Sequence, residues 1–193
     1  MRKVAILIFD EVEVLDFCGP FEVFAVTGGR GQDKPFDVFT VAEKAAPITA
    51  RNGLSVNPKF SFADCPQADI LVIPGGYGTR PLLHNQTVLD WIKEQATNAE
   101  LVMSVCTGSL LLAQAGLLEN LSATTHFNAM DELRKVAPKT QVCPDQRIVD
   151  NGRVLTSAGI SAGIDLSFHI VARLLGRDVA QETARWMEYD AWK

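Results

Sequence analysis

Residues Leu101 to Leu112, LVMSVCTGSLLL, restrict the fold more than any other stretch of the chain. They open as a short β-prone apolar run and pass one cysteine with small neighbours. They continue as helix-favouring leucine and alanine to Ala115, with Gly116 where helices stop. A strand that turns straight into a helix belongs to a layered α/β protein, and it lifts the turn residue out of the sheet toward solvent. Ser104-x-Cys106-x-Gly108 keeps the second glycine of the elbow pattern G-x-S-x-G and replaces the first with another small residue. A thiol at a helix N-terminus is expected to acidify, because unpaired N–H groups and the helix dipole favour the thiolate. These features read Cys106 as a nucleophile; a buried structural cysteine is the alternative that the same residues leave open.

The rest of the chain repeats the alternation of strand and helix. Lys3 to Phe9 (KVAILIF) and Asp69 to Ile73 (DILVI) are continuous apolar runs, as in parallel strands buried on both faces. Phe36 to Ala42 reads as a further strand, and Ala123 to Thr125 as a short one. Helices are expected from Gly19-Pro20 to about Thr27, then over Thr87 to Asn98, Asn128 to Val136, Ala162 to Leu175 and Val179 to Glu188. Two hairpins complete the pattern. One spans Pro47 to Phe60 and turns at Arg51-Asn52-Gly53; the other spans Arg147 to Thr156, with Asn151-Gly152 favouring a type I′ turn. The sum is an α/β sandwich around a mainly parallel sheet. With no repeat, linker or break in composition, residues 1–193 are expected to form one domain.

Composition excludes several classes. At 47% hydrophobic against 21% charged residues, the chain has the balance of a globular protein, and no apolar stretch reaches membrane-spanning length. The apolar run after Met1-Arg2-Lys3 is broken by Asp10 and Glu11 before a signal peptide could be completed. A net charge of −5 with scattered basic residues gives no footprint for nucleic acid. The four cysteines, Cys18, Cys65, Cys106 and Cys143, have neither disulfide-framework nor metal-ligand spacing. A cytoplasmic protein with reduced thiols and no metal is expected.

Ligands of open α/β sheets sit outside the carboxyl ends of the strands. Three loops with suggestive chemistry fall there, Asp10 to Asp16, Pro74 to Gly78 and Cys106 to Gly108. Gly75-Gly76-Tyr77-Gly78 lacks the endings of the phosphate loops and reads either as an oxyanion hole or as a tight turn. Asp16 is a helix cap or loop acid, or else the acid partner of the thiol. Beside a thiolate it would stay protonated and could deliver that proton to a reacting atom. Asp10, Glu11, Glu13 and Glu22 compete for that role. His126 follows a short strand and could serve as a base or pocket wall, or simply as hydrogen-bonded structure. His84 and His169 fall on expected helices as surface and packing residues. Cys106 is followed by Thr107, so no Cys-His pair is visible locally.

At Asp16, Gly75-Gly76, Cys106-Thr107-Gly108 and Thr156-Ser157-Ala158-Gly159 the chain resembles the ThiJ/PfpI superfamily of class I glutamine-amidotransferase-like proteins. Within it the sequence looks most like the isonitrile hydratase branch. That likeness runs through Leu15-Asp16 with Gly19-Pro20, Phe62-Ala63-Asp64-Cys65-Pro66 and Ala123-Thr124-Thr125-His126, and on to Gly159-Ile160-Ser161-Ala162-Gly163-Ile164-Asp165. The resemblance implies a flavodoxin-like three-layer sandwich, a homodimer and a small-molecule substrate. It implies Cys106 as nucleophile, Asp16 as its acid partner, and Thr107 beside the sulfur. Gly75 and Gly76 would lie at the oxyanion site, and Gly159-Ile160 in the pocket wall. The peptidase-like branch carries histidine after the cysteine and many deglycase-type members carry glutamate at the Asp16 position, so Thr107 and Asp16 both point toward the hydratase. Related domains fused to AraC-type DNA-binding domains are often noncatalytic, and no helix-turn-helix is expected within these residues. The expected reaction is hydration of an isonitrile to an N-substituted formamide without a cofactor, the thiol supplying covalent catalysis. The alternatives are hydrolysis, deglycation or glyoxalase-type work on small carbonyls, or a noncatalytic thiol sensor or ligand-binding module.

Overall fold

The computed structural model describes residues 1–29 and 34–192. The first half of the chain forms β1 (Arg2–Leu7), α1 (Val14–Val26), β2 (Phe36–Ala42), the hairpin β3 (Ile48–Thr49) and β4 (Ser55–Val56), then β5 (Phe60–Ser61) and β6 (Ile70–Ile73). Next come α2 (Thr79–Leu82), α3 (Gln86–Asn98), β7 (Leu101–Val105) and α4 (Gly108–Gln114). The remainder is β8 (Ser122–Ala123), α5 (Met130–Val136), β9 (Gln141–Val142), β10 (Ile148–Asp150), β11 (Val154–Ser157), α6 (Ala162–Leu175) and α7 (Arg177–Trp186).

A seven-stranded sheet in the order β10-β11-β7-β6-β1-β2-β5 forms the middle layer. All its pairings are parallel except that of the edge strand β10 with β11. Helices α1, α6 and α7 pack together as one outer layer, and α3, α4 and α5 form the other. The central strands are covered on both faces, which is why their sequences are continuously apolar rather than alternating. Val4, Ala5 and Ile6 of β1, the whole of β6 and the whole of β7 are buried. Helix α3 turns Val88, Leu89, Ile92 and Ala96 inward, and the Asn85 side chain caps it by accepting from Val88 N–H at 3.3 Å. Among the described residues, no helix is long and apolar enough to cross a membrane.

Several boundaries differ from the sequence reading. Helix α1 begins at Val14, not at Gly19-Pro20, so Pro20 lies inside it. The hydrogen bond that proline forfeits falls on the Asp16 carbonyl in the first turn. The first hairpin is confined to Ile48–Val56, and Phe60-Ser61 leaves it to pair parallel with β2. The strand expected over Ala123 to Thr125 is shorter, and β8 pairs with β9 apart from the main sheet. A 3₁₀ turn over Phe127–Ala129 precedes α5. In the second hairpin Asn151 N–H donates to Val154 O at 3.1 Å, so Gly152 and Arg153 occupy the tip. Positive φ falls on Gly152 (86°) and not on Asn151. Glycine thus takes the first central position, as in type II′ turns, instead of the second position of the expected type I′.

Parallel strands deliver their exits to one edge of the sheet. There β1 leads to α1, β6 to Pro74–Gly78, β7 to Cys106 and β11 to Ala158–Ile160, and these segments surround a cleft of about 160 Å³.

Candidate active site

Cys106 sits in the turn between β7 and α4 with φ of 56°. A left-handed conformation costs a non-glycine residue about 1–3 kcal/mol and persists only where its surroundings impose it. Here Cys106 N–H is shared between the carbonyls of Ser157 and Ala158, both at 3.2 Å. Its own carbonyl accepts from Thr125 Oγ1 at 2.9 Å and from Ser109 Oγ at 3.2 Å. The glycine two residues after the cysteine follows from crowding: a Cβ on Gly108 would lie 2.0 Å from the Ile73 carbonyl oxygen. Ile160 is also left-handed, with φ of 51°. A β-branched residue rarely adopts that conformation. In it, the Ile160 N–H joins that of Thr107 in donating toward the Cys106 sulfur.

Asp16 lies on the first turn of α1 and is fully buried. Its Oδ2 accepts from Gly75 N–H at 3.0 Å, while Oδ1 has no hydrogen-bond partner among the described residues. Carboxyl and thiol are close enough to interact, although no well-aligned hydrogen bond joins them in this geometry. Burial pushes the Asp16 carboxyl up to about 7, opposed by the Gly75 amide and assisted by the charge of Glu13. Burial also pushes the Cys106 thiol up to about 12. The Asp16 charge acts in the same direction, and the Thr107 and Ile160 amides oppose it. Desolvation and the neighbouring carboxylate thus act against the thiolate expected at the helix N-terminus, while the Thr107 and Ile160 amides act for it.

Gly75 and Gly76 have other work than the expected one. Gly75 gives its amide to Asp16, and Gly76 gives its amide to Thr107 Oγ1 at 3.0 Å. A Cβ on Gly75 would lie 2.5 Å from Thr107 N and 2.9 Å from Asp16 Oδ2, so only glycine lets this loop reach both. Thr79 Oγ1 donates to Gly76 O at 2.8 Å, fixing the next peptide of the same loop. The amides that face the sulfur are those of Thr107 and Ile160.

His126 lines the cleft, with its ring over Gly159. Its Nδ1 accepts from Asn128 N–H at 3.2 Å, which leaves Nε2 to carry the proton of the neutral ring. His169 lies on α6 and bonds Asp150 at 2.8 Å, whereas His84 is exposed in the turn between α2 and α3. Of the competing acids, Asp10 accepts from Thr49 N–H, Glu11 pairs with Arg51, and Glu22 is exposed. Glu13 lines the cleft. Sequence reasoning did not find Arg51, Tyr77, Arg80 or Asn128, which also line it. The Arg51 guanidinium stacks 4.1 Å over the Tyr77 ring, and Arg80 pairs with Glu132 at 2.7 Å. Tyr77, inside the glycine-rich loop, was the one of these with a local signal.

A cysteine held in a strained turn, an acid behind it and amides aimed at the sulfur form a site able to do covalent chemistry. Residues 2–173 match the DJ-1/PfpI family. The chain belongs to the DJ-1/PfpI family. It is 38% identical over 188 residues to the isonitrile hydratase of Pseudomonas putida, covering 97% of this chain and 78% of that protein. It is 31% identical over 139 residues to the HTH-type transcriptional regulator CdhR of Pseudomonas aeruginosa, covering 72% of this chain but 40% of the regulator. Among solved structures, a ThiJ/PfpI family protein from Pseudomonas syringae superposes with a TM-score of 0.89 at 29% identity, covering 98% of this chain and 75% of that one. The DJ-1/PfpI fold is thus the flavodoxin-like three-layer sandwich expected from the sequence.

Proposed function

We propose that the protein hydrates an isonitrile to an N-substituted formamide through a thioimidate on Cys106. The observation that carries this reading is the pairing of a cleft-lining thiol with a buried carboxyl raised to about 7. The likeness to isonitrile hydratase supports it. The thiol proton passes to Asp16 as sulfur bonds to the terminal carbon, and Asp16 delivers a proton to that same carbon. A carboxyl near 7 suits both transfers at neutral pH. The Thr107 and Ile160 amides stabilise charge on sulfur as the S–C bond forms and later breaks. Water adds to the thioimidate carbon, and collapse releases the formamide and restores the thiol.

The test is incubation of wild type and Cys106→Ala with an aryl isonitrile, following the formamide by mass-resolved chromatography. Formamide from wild type only is the expected result. Unchanged isonitrile together with lactate formed from methylglyoxal would assign the site to glyoxalase-type chemistry instead.

A further inference from the structure

Resting on that hydration reading, we infer that Glu13 is the general base for the water that attacks the thioimidate. The second half-reaction needs a proton acceptor on the open side of the sulfur, where water arrives. Asp16 is fully buried and is not among the residues lining the cleft, so it meets the reacting carbon from the buried side of the sulfur, away from arriving water, and one of its carboxylate oxygens is committed to Gly75. Among the cleft-lining groups, His126 is turned so that its acceptor nitrogen is already occupied by Asn128 N–H. Arg51 and Arg80 are cations, paired with Glu11 and Glu132. Glu13 remains. It is half-buried, and its carboxylate makes no hydrogen bond or ion pair among the described residues. Its backbone is fixed beside the site by Glu13 N–H to Gly75 O at 2.9 Å and Asp16 N–H to Glu13 O at 3.1 Å. A carboxylate held at the cleft wall with no structural partner has the position and the free lone pairs that the step requires.

The water oxygen bonds to the thioimidate carbon, the C=N π pair moves to nitrogen, and one water proton goes to Glu13. Glu13 returns that proton to nitrogen. The carbon–sulfur bond then breaks as the carbonyl forms, and the hydroxyl proton ends on the departing thiol. One water is consumed and nothing is oxidised or reduced.

The two half-reactions can be watched separately by mixing the protein with excess aryl isonitrile and following intact mass and free formamide together. Wild type is expected to release formamide with little adduct. Glu13→Gln should add one isonitrile mass to Cys106 at the wild-type rate and then release formamide roughly 10²–10⁴-fold more slowly, so that adduct accumulates. Glu13→Asp, which keeps a carboxylate, should restore part of the release rate and guards against a folding defect in the glutamine variant. Wild-type turnover in Glu13→Gln overturns the assignment. So does a folded Glu13→Gln that forms no adduct, since Glu13 would then act before the thioimidate exists. If wild type itself gives neither adduct nor formamide, the hydration reading falls and the assignment with it, an outcome distinct from both.

Discussion

Asp16 is held in a state that its sequence neighbours do not prepare it for. An unfolded aspartate ionises near 3.9, but burial raises the folded value to about 7. The neutral acid therefore favours the folded chain fully below the unfolded value, and that contribution is lost as pH rises through about 7. Asp16→Asn cannot ionise and still accepts from Gly75. At pH 8 it should be more stable than wild type by about 2–4 kcal/mol, with the difference closing near pH 4. Urea unfolding at the two pH values checks this, and a pH-independent difference would contradict the assignment of the shift to burial. The same substitution removes a negative charge beside the thiol, so Cys106 should be alkylated by iodoacetamide several-fold faster in the variant at pH 8. Peptide-resolved mass spectrometry separates Cys106 from Cys18, Cys65 and Cys143. At this scale the sequence exposed Cys106 itself, because an elbow is a local pattern. It could not give the protonation state, which depends on burial by segments distant in the chain. The partners of the Gly75 and Gly76 amides were hidden for the same reason, as were Arg51 and Arg80, which arrive from a hairpin and a four-residue helix.

Among elements, the tightest constraint is the fit of the β6 exit against the elbow. The Gly75 loop touches α1 through Asp16 and α4 through Thr107, and the Gly108 turn leaves no room above Ile73. Gly75→Ala should therefore cost about 1–3 kcal/mol of stability by overpacking and should disturb Asp16 and Thr107 together. Denaturant unfolding with thiol titration checks both effects, and an unaltered thiol titration would show that the loop can yield. The same elements explain what was legible. Strands β1, β6 and β7 are buried on both faces, so their continuous apolar runs mark them without tertiary information. Helix α1 was misplaced because Gly19-Pro20 imitates a helix start. The actual start is set instead by backbone bonds from Glu13 and Asp16 and by the Val12–Gly76 bridge. At Asn151-Gly152 the dipeptide marked the hairpin, and the bond from Asn151 to Val154 decided which residue took the left-handed position.

On the scale of the whole molecule, the site depends on a brace that runs to the far end of the chain. Arg147 accepts from Ala158 N–H at 2.9 Å through its carbonyl and donates to Ser161 Oγ at 3.3 Å through Nη2, so it brackets the segment carrying Ile160. Its guanidinium is held in turn by Asp165 on α6, and Asp165 Oδ1 accepts from Tyr189 Oη at 2.8 Å. The Tyr189 and Trp192 rings both stack on Phe168 of α6, which anchors the segment after α7 in the same layer. Asp165 is thus the junction between the C-terminal segment and the amide of Ile160 that faces the sulfur. Asp165→Asn weakens the charged bond to Arg147 and should cost about 1.5–3 kcal/mol. It should also loosen Ile160, raise the thiol titration further and, under the proposed hydration, lower formamide formation. Tyr189→Phe removes only the hydroxyl bond, should cost about 0.5–1.5 kcal/mol, and leaves Arg147 in place, so its thiol titration should match wild type. Thermal unfolding and thiol titration of the two variants separate support of the fold from support of the site. Equal thiol titrations in both would mean that the Ile160 segment holds its conformation without the brace.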